Sequence, residues 1–283
     1  MNHADRYYVP PPSHYPILGA AALLLLALGA ALWVNGSASG PWVSAGGAAV
    51  LGYMLFGWFG TVVRESTGGR YGAGVDRSFR WGMAWFIFSE VMFFAAFFGA
   101  LFYVRVLGLP DLSSAEHQEL LWKGFEAQWP ERVAPAPVDP YTPMQAWGIP
   151  ALNTVLLLSS AVTVTWAHWG LLAGRRARVS LGLVLTLLLG AAFLGLQAYE
   201  YGHAYRELNL TLSSAVYGSL FFFLTGFHGL HVTVGAIMLA VILARVMAGH
   251  FRPDDHFAFE AAAWYWHFVD VVWLFLFVTV YWI

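Results

Sequence analysis

The sequence predicts an all-α, polytopic membrane protein, and its composition and its apolar runs carry that prediction. Hydrophobic residues make up 59% of the 283 residues and charged residues only 11%, with a mean hydropathy of +0.61. Seven apolar stretches are each long enough to cross a hydrocarbon core of about 30 Å as a helix. A net charge of −2 gives no reason to expect a nucleic-acid partner. The absence of cysteine excludes disulfides, thiolate metal sites and iron–sulfur clusters.

The seven predicted spans set the orientation of the chain. They lie at residues 17–34, 42–63, 81–107, 150–172, 179–199, 212–244 and 261–283. Of the 14 Lys and Arg residues, ten fall on the N-terminal side of the membrane and four on the opposite side. The positive-inside rule therefore predicts a cytoplasmic N-terminus and, with an odd number of spans, an external C-terminus. The first 16 residues lack the basic start and cleavage site of a signal peptide, so we expect the first span to be retained.

The connections between the spans divide the chain into two parts. Residues 36–41 have the composition of a tight turn, so spans one and two should form an antiparallel hairpin. We assign the N-terminal tail, this hairpin and the following basic loop to residues 1–80, and the other five spans to residues 81–283. Residues 108–149 form a long outer polar segment, expected to be ordered over the outer face or partly flexible.

Span three carries a carboxyl group near the middle of the membrane. Glu90 lies about 13 Å along this span, and its neighbours in the sequence are almost all apolar. Burial disfavours a charged carboxylate, so we expect Glu90 to be protonated and hydrogen-bonded to a neighbouring helix. The alternative is a proton-relay or coupling-ion site, which needs further acids or waters in line.

The last two spans carry polar groups that need partners inside the bundle. His267 and Asp270 are three residues apart and therefore share a face of span seven. His228 and His231 have the same spacing in span six, so we expect the two faces to meet. The four residues indicate either a metal or haem site or a buried hydrogen-bond network. We favour the network, with no metal, because the surrounding phenylalanines leave no open face for a ligand. His168, Glu200 and His203 lie near span ends, where polar side chains reach water or headgroups.

Several blocks of this sequence resemble subunit III of the haem-copper cytochrome c oxidases, along nearly the whole chain. The blocks, in the family's order, are Val63-Arg64-Glu65, Phe88-Ser89-Glu90-Val91-Met92-Phe93-Phe94, Pro150-Ala151-Leu152-Asn153-Thr154, Thr165-Trp166-Ala167-His168, Gln197-Ala198-Tyr199-Glu200-Tyr201, Thr225-Gly226-Phe227-His228-Gly229-Leu230-His231-Val232 and residues 259–273. The resemblance implies a two-helix hairpin that leans away from a five-helix bundle, with a lipid-filled cleft between them. It also implies no catalytic residue, haem or copper in this chain.

The same resemblance implies an indirect role beside two partner subunits. Subunit III stabilises the haem-copper subunit I, supports its proton uptake and holds structural phospholipids, in a complex that also contains subunit II. Glu90 corresponds to the position that carbodiimides label in the family. The resemblance places lipid contacts on residues in three predicted spans or directly after them. They are Trp58, Arg64, Glu65, Phe86, His231 and Arg245.

Three rival functions are compatible with a polytopic membrane chain. A related quinol oxidase subunit III usually has five spans and lacks the first hairpin, so seven spans favour the cytochrome c branch. A catalytic haem-copper subunit needs about six buried histidines, whereas only four of the ten lie in predicted spans. The third is a proton-coupled transporter. Many transporters of this kind are built from inverted repeats, and the sequence shows no strong repeat of that kind. We expect the bacterial inner membrane rather than the mitochondrial inner membrane as the location.

Overall fold

A computed structural model describes residues 7–135 and 139–283 of the chain. Within these residues the chain forms nine α-helices and no extended β-strand, only two isolated bridges. The helices are α1 Tyr15–Val34, α2 Gly40–Thr67, α3 Ala73–Phe102, α4 Leu109–Leu112, α5 Ala115–Leu120, α6 Ile149–Leu172, α7 Arg176–Arg206, α8 Ala215–Met247 and α9 Phe257–Leu276. Seven of them are long and apolar enough to cross a membrane, so the prediction of an all-α chain with seven spans is confirmed.

The helices extend beyond the apolar stretches that predicted them. The third membrane-spanning element begins at Ala73 and continues through a π-helical stretch, Tyr103–Gly108, and through α4. An ion pair between Arg80 and Asp76, with Nε and Oδ2 2.8 Å apart, supports the added first turns. A hydropathy window detects the apolar part of a helix that crosses the membrane, so it does not detect the polar turns at the helix ends.

The chain divides into two compact units, the first ending at Trp81 and the second beginning at Gly82. The first unit contains the α1–α2 hairpin, connected by residues 35–39. Its helices approach so closely that a Cβ on Gly47 would lie 2.8 Å from the backbone nitrogen of Leu26. Gly29 is as tightly placed against the backbone of Ser44. Backbone-to-backbone packing through glycine therefore holds the hairpin together.

The second unit is built around α9, which packs against α6 and α8. Trp266 of α9 is fully buried, and its Nε1 donates a 2.9 Å hydrogen bond to Ser160 Oγ. Gly190 and Gly235 make room for it, since a Cβ on either would lie within 3 Å of the indole ring. One large ring filling space vacated by two glycines fixes the position of α9 between its neighbours.

The outer polar segment packs over the ends of α7 and α8. Tyr141 stacks on Tyr217, with ring centroids 5.9 Å apart, and donates a 2.6 Å hydrogen bond to the carbonyl of Pro130. Burial of the ring raises the pKa of Tyr141 to about 12. The Thr142 amide donates to the carbonyl of Leu208 at 2.9 Å. The described parts of this segment are therefore ordered by specific contacts, and residues 136–138 lie outside the described residues.

Candidate functional site

The carboxyl group of Glu90 meets a histidine from another helix. Glu90 Oε2 lies 2.8 Å from Nε2 of His231, and the two side chains are 22% and 12% exposed. They come from α3 and α8, 141 positions apart in the chain. Aromatic rings surround the imidazole, with centroids between 5.0 and 6.3 Å from it. These rings belong to Phe93, Phe94, Tyr265 and Phe268.

Hydrogen bonding fixes how many protons this pair holds. His231 Nδ1 lies 2.7 Å from the carbonyl oxygen of Phe227, which only accepts, so Nδ1 carries a hydrogen. One further proton lies between His231 Nε2 and Glu90 Oε2. The pair is then either a protonated acid with a neutral imidazole or a carboxylate with an imidazolium. Both forms have zero net charge, which is what apolar surroundings favour.

Phe86 belongs to the same cluster of side chains. It lies one helical turn before Glu90 on α3, and its ring stacks on Tyr265 with centroids 6.1 Å apart. Its side chain remains 45% exposed in this chain. The structure therefore brings together three of the predicted site residues, Phe86, Glu90 and His231. The spacing of residues along the sequence could place Phe86 beside Glu90 but could not show that His231 lies next to them.

His228 connects α8 to α9 through the backbone. Its Nε2 lies 3.2 Å from the carbonyl oxygen of Val269, so Nε2 is the donor, and its Nδ1 is buried without a partner among the described residues. Phe193 and Trp273 pack against the ring at 5.7 and 5.1 Å. An imidazolium here would bury a second unpaired N–H, so the contacts favour a neutral histidine.

His267 and Asp270 find their partner on α6. His267 Nδ1 lies 3.3 Å from Asp270 Oδ2, and its Nε2 lies 3.2 Å from Thr165 Oγ1. The hydroxyl of Thr165 already donates to the carbonyl of Ala161, so it accepts from His267. His267 and Asp270 therefore share one proton, as Glu90 and His231 do. Asp270 is 4% exposed and its Oδ1 has no partner among the described residues.

The expected single network of four polar residues is therefore wrong in its grouping. His231 pairs with Glu90 of α3, His228 bonds to a backbone carbonyl, and His267 with Asp270 contacts Thr165. Residues three apart on one helix point about 60° apart around its axis, which is enough to direct them to different neighbours. The sequence predicts which residues share a face of one helix, but it does not predict which neighbouring helix that face contacts.

Comparison with known proteins assigns the family. A family model described as cytochrome c oxidase subunit III matches residues 5–283. The chain is 41% identical to cytochrome c oxidase subunit 3 of Lycodon semicarinatus over 284 residues, covering 100% of this chain and 99% of the relative. It is 42% identical to the Danio rerio protein of the same name over 282 residues, covering 99% and 98%. The chain belongs to the cytochrome c oxidase subunit III family. That family carries no redox centres of its own.

In this member of the subunit III family, Glu65 is held by tyrosines. The hydroxyls of Tyr8 and Tyr71 donate to its two carboxylate oxygens, each at 2.8 Å. Burial and the hydrogen bond to Glu65 raise the pKa of Tyr71 above its ordinary value. Because both carboxylate oxygens are engaged, Glu65 positions the segment before α1 and the loop after α2. Contact with a lipid phosphate would also be repulsive for a carboxylate.

The two arginines of the predicted lipid site have different surroundings. Arg64 is exposed near the end of α2, and its Nη2 donates to Thr61 Oγ1 at 2.8 Å. Trp58, 46% exposed, lies six residues earlier on the same helix. Arg245 is half-buried near the end of α8, and its guanidinium lies 4.5 Å from the ring centre of Phe251. The first arginine is accessible as it stands, whereas the second is covered on one side.

Glu200 is a buried acid for which the sequence suggested the wrong surroundings. We expected this residue to reach water or headgroups, yet it is fully buried. Tyr281 donates a 2.6 Å hydrogen bond to Glu200 Oε1, and Gln197 donates to the same atom at 3.4 Å. The helix continues to Arg206, so Glu200 lies almost two turns inside it. His203, by contrast, sits near the helix end and pairs with Glu207 at 3.0 Å.

Proposed function

We propose that this chain is a non-catalytic supporting subunit of a respiratory cytochrome c oxidase. It packs against the haem-copper subunit I in a complex that also contains subunit II, stabilises subunit I and helps to maintain its proton uptake. It holds structural phospholipids, and the haems and copper of the complex belong to the partner subunits.

One observation supports this proposal above others. Three sets of polar groups inside the spans are hydrogen-bonded locally, and each set joins two helices. Glu90 is matched with His231, His267 and Asp270 with Thr165, and His228 with the Val269 carbonyl. A relay or transport path needs groups that exchange partners along a line. Groups closed in local sets instead fix the helices against each other.

Lipid binding is proposed separately for each compact unit. In the first unit, the Arg64 guanidinium at the end of α2 would hold a lipid phosphate while Trp58 lies along the acyl chains. In the second unit, Arg245 would hold the phosphate, with Phe86 and His231 lining the apolar part. Glu65 contributes indirectly by holding the loop that follows Arg64. A lipid-filled cleft remains a prediction from the resemblance.

The experiment that tests this function compares two double variants of the assembled oxidase. Arg64→Ala with Arg245→Ala should leave the initial turnover close to normal, because no reacting group is touched. It should lower the number of turnovers before inactivation and reduce the phospholipid retained on purification. The matched control is Arg77→Ala with Arg252→Ala, which removes two exposed arginines from the same predicted membrane surface.

The outcomes separate lipid binding from simple charge. If both double variants lose lipid and working lifetime equally, the loss reflects net positive charge at that surface. If the Arg64 and Arg245 variant keeps both, these residues serve only to set orientation. Immediate loss of oxygen reduction in that variant would contradict the non-catalytic assignment itself.

We also propose a bacterial inner membrane as the location, with the N-terminus on the cytoplasmic side. The distribution of ten against four basic residues between the two sides supports the orientation. The chain has no cysteine, so single cysteines introduced at Ser37 and Thr67 can be labelled without background. An impermeant thiol reagent applied outside intact cells should label the cysteine at position 37 and leave the cysteine at position 67 unlabelled. The reverse pattern would invert the orientation.

A further inference from the structure

A second cluster of ionisable side chains lies where α6 ends and α9 begins. Ligand atoms of His168, His256 and Glu260 lie within 4.8 Å of one another. His168 is four residues from the last residue of α6, and His256 directly precedes α9. Glu260 follows in the first turn of α9, with its Oε1 2.9 Å from His256 Nε2. The cluster is separate from the Glu90–His231 pair and from His267 with Asp270.

Two nitrogens of this cluster lack partners. His168 Nε2 and His256 Nδ1 are both buried and have no hydrogen-bond partner among the described residues. The carboxylate of Glu260 accepts from His256 Nε2, so in the neutral ring Nδ1 holds an unused lone pair. A buried polar atom without a partner is costly, and here two lie on neighbouring rings whose centroids are 5.5 Å apart.

We propose that His168, His256 and Glu260 bind a divalent transition-metal ion of the Zn²⁺ class. Two imidazoles and one carboxylate form the ligand set that zinc takes in open sites, where a water fills the fourth position. Imidazole nitrogen favours zinc over magnesium or calcium, which prefer oxygen. This proposal revises, at one place, the expectation that the chain holds no metal. It involves no redox step.

The local geometry and charge are compatible with an ion. Zinc–nitrogen bonds of about 2.0–2.1 Å place tetrahedral ligands roughly 3.3 Å apart, so the side chains must close by up to about 1.5 Å. The positive end of the α9 helix dipole opposes a cation, and the Glu260 carboxylate at that end offsets it. Two exposed aspartates, Asp254 and Asp255, directly precede His256 and make the approach more negative.

The ion would act as a cross-link between distant parts of the chain. His168 and His256 are 88 positions apart, and the second follows the loop that leads from α8 to α9. An ion bound only by the folded arrangement stabilises it by mass action. We therefore expect Zn²⁺ to raise the midpoint temperature at which this chain dissociates from the oxidase or unfolds.

The test measures Zn²⁺ on the purified oxidase complex by equilibrium dialysis and elemental analysis. Wild-type complex is compared with His256→Gln, and His250→Gln is the matched control, an exposed histidine on the same loop. His256 occupies the N-cap position of α9, so Glu260→Gln provides a second variant that leaves this position unchanged. The haem content per complex confirms equal assembly. Excess Mg²⁺ is included as a competitor in parallel samples.

We expect one fewer Zn²⁺ per complex, or at least tenfold weaker binding, for His256→Gln and Glu260→Gln. The His250→Gln control should match the wild type, and excess Mg²⁺ should not displace the ion. Equal zinc content in wild type and both variants would overturn the proposal. So would equal loss in the His250→Gln control, which would show an adventitious surface ion only, or displacement by Mg²⁺. None of these results bears on the proposed supporting role, which is tested by turnover and lipid content.

Discussion

The helices inside each of the two compact units are held together in different ways. In the hairpin, glycines let the backbones of α1 and α2 approach, and the Gly47 backbone faces that of Leu26. In the second unit, α9 is anchored by large side chains, with Trp266 and Trp273 fully buried and both indoles donating hydrogen bonds. The hairpin helices and the last span also differ in burial. In the apolar windows, 11% of residues are buried for each hairpin helix and 56% for the last span.

This contrast predicts how each unit fails. A packed glycine contact tolerates no added atoms, whereas a buried tryptophan tolerates no removal. Enlarging a packed glycine should therefore damage the hairpin, and truncating a buried tryptophan of α9 should damage the bundle, where enlarging Gly190 or Gly235 would also cause a clash. The predictions below run from the largest expected effect to the smallest. The first two test the contrast directly.

Truncation of the α9 anchor should have the largest effect. Trp266→Ala leaves a cavity between Gly190 and Gly235 and removes the hydrogen bond to Ser160, and such changes typically cost about 3–5 kcal/mol. Trp264→Ala, at a 36% exposed position two residues away, is the control. The measurement is the loss of helical structure as SDS is titrated into detergent-solubilised chain. Equal midpoints for the two variants would refute the anchoring role.

Enlargement of the hairpin glycine should have the next largest effect. Gly47→Leu forces side-chain atoms into the backbone of Leu26, and overpacking of this kind costs about 1–3 kcal/mol. Gly46→Leu is the matched control, because a Cβ there would meet nothing within 4 Å. The measurement is the fraction of each chain recovered in the assembled oxidase. The contrast between the units fails if Gly46→Leu and Gly47→Leu are recovered equally.

Removal of the Asp270 carboxyl should disturb the contact between α9 and α6. Asp270→Ala removes the hydrogen bond to His267 Nδ1, and because the His267 side chain is 42% exposed we expect a loss of about 1 kcal/mol. Asp270→Asn keeps the shape and one hydrogen bond, so it should recover most of the stability. Assembled complex per cell is the readout, with metal analysis of the same samples. If Asp270→Asn assembles as poorly as Asp270→Ala, the carboxyl group of Asp270, rather than one hydrogen bond, is needed.

The sequence predicted the helices well and the contacts between them poorly, for physical reasons. Hydropathy over a long window locates each span, because the membrane imposes the same requirement on every helix. It contains no information on the rotation of α3 relative to α8, which decides that Glu90 meets His231. Gly46 and Gly47 are adjacent glycines, and only the helix rotation makes the second one the contact. Likewise His168 and His256 meet through the tertiary fold alone.

The smallest expected effect comes from Glu90→Gln, which distinguishes the two forms of the Glu90–His231 pair. If the pair is a protonated acid with a neutral imidazole, the glutamine amide can replace the acid as donor to His231 Nε2. Stability and initial oxygen reduction should then change little, by less than about 0.5 kcal/mol and less than about twofold. The infrared carbonyl band of a protonated carboxyl should disappear from the difference spectrum.

The control for this exchange is Glu90→Leu, which removes the hydrogen bond while keeping an apolar side chain. It leaves His231 Nε2 without a partner beneath the aromatic rings, so it should assemble less well than Glu90→Gln. If Glu90→Gln instead assembles as poorly as Glu90→Leu, and the wild type shows no infrared band of a protonated carboxyl, the pair is an ion pair. Loss of oxygen reduction in a fully assembled Glu90→Gln oxidase would give the carboxyl a direct part in the reaction. The contrast between the units would survive that result, since it depends on Trp266 and Gly47 rather than on Glu90.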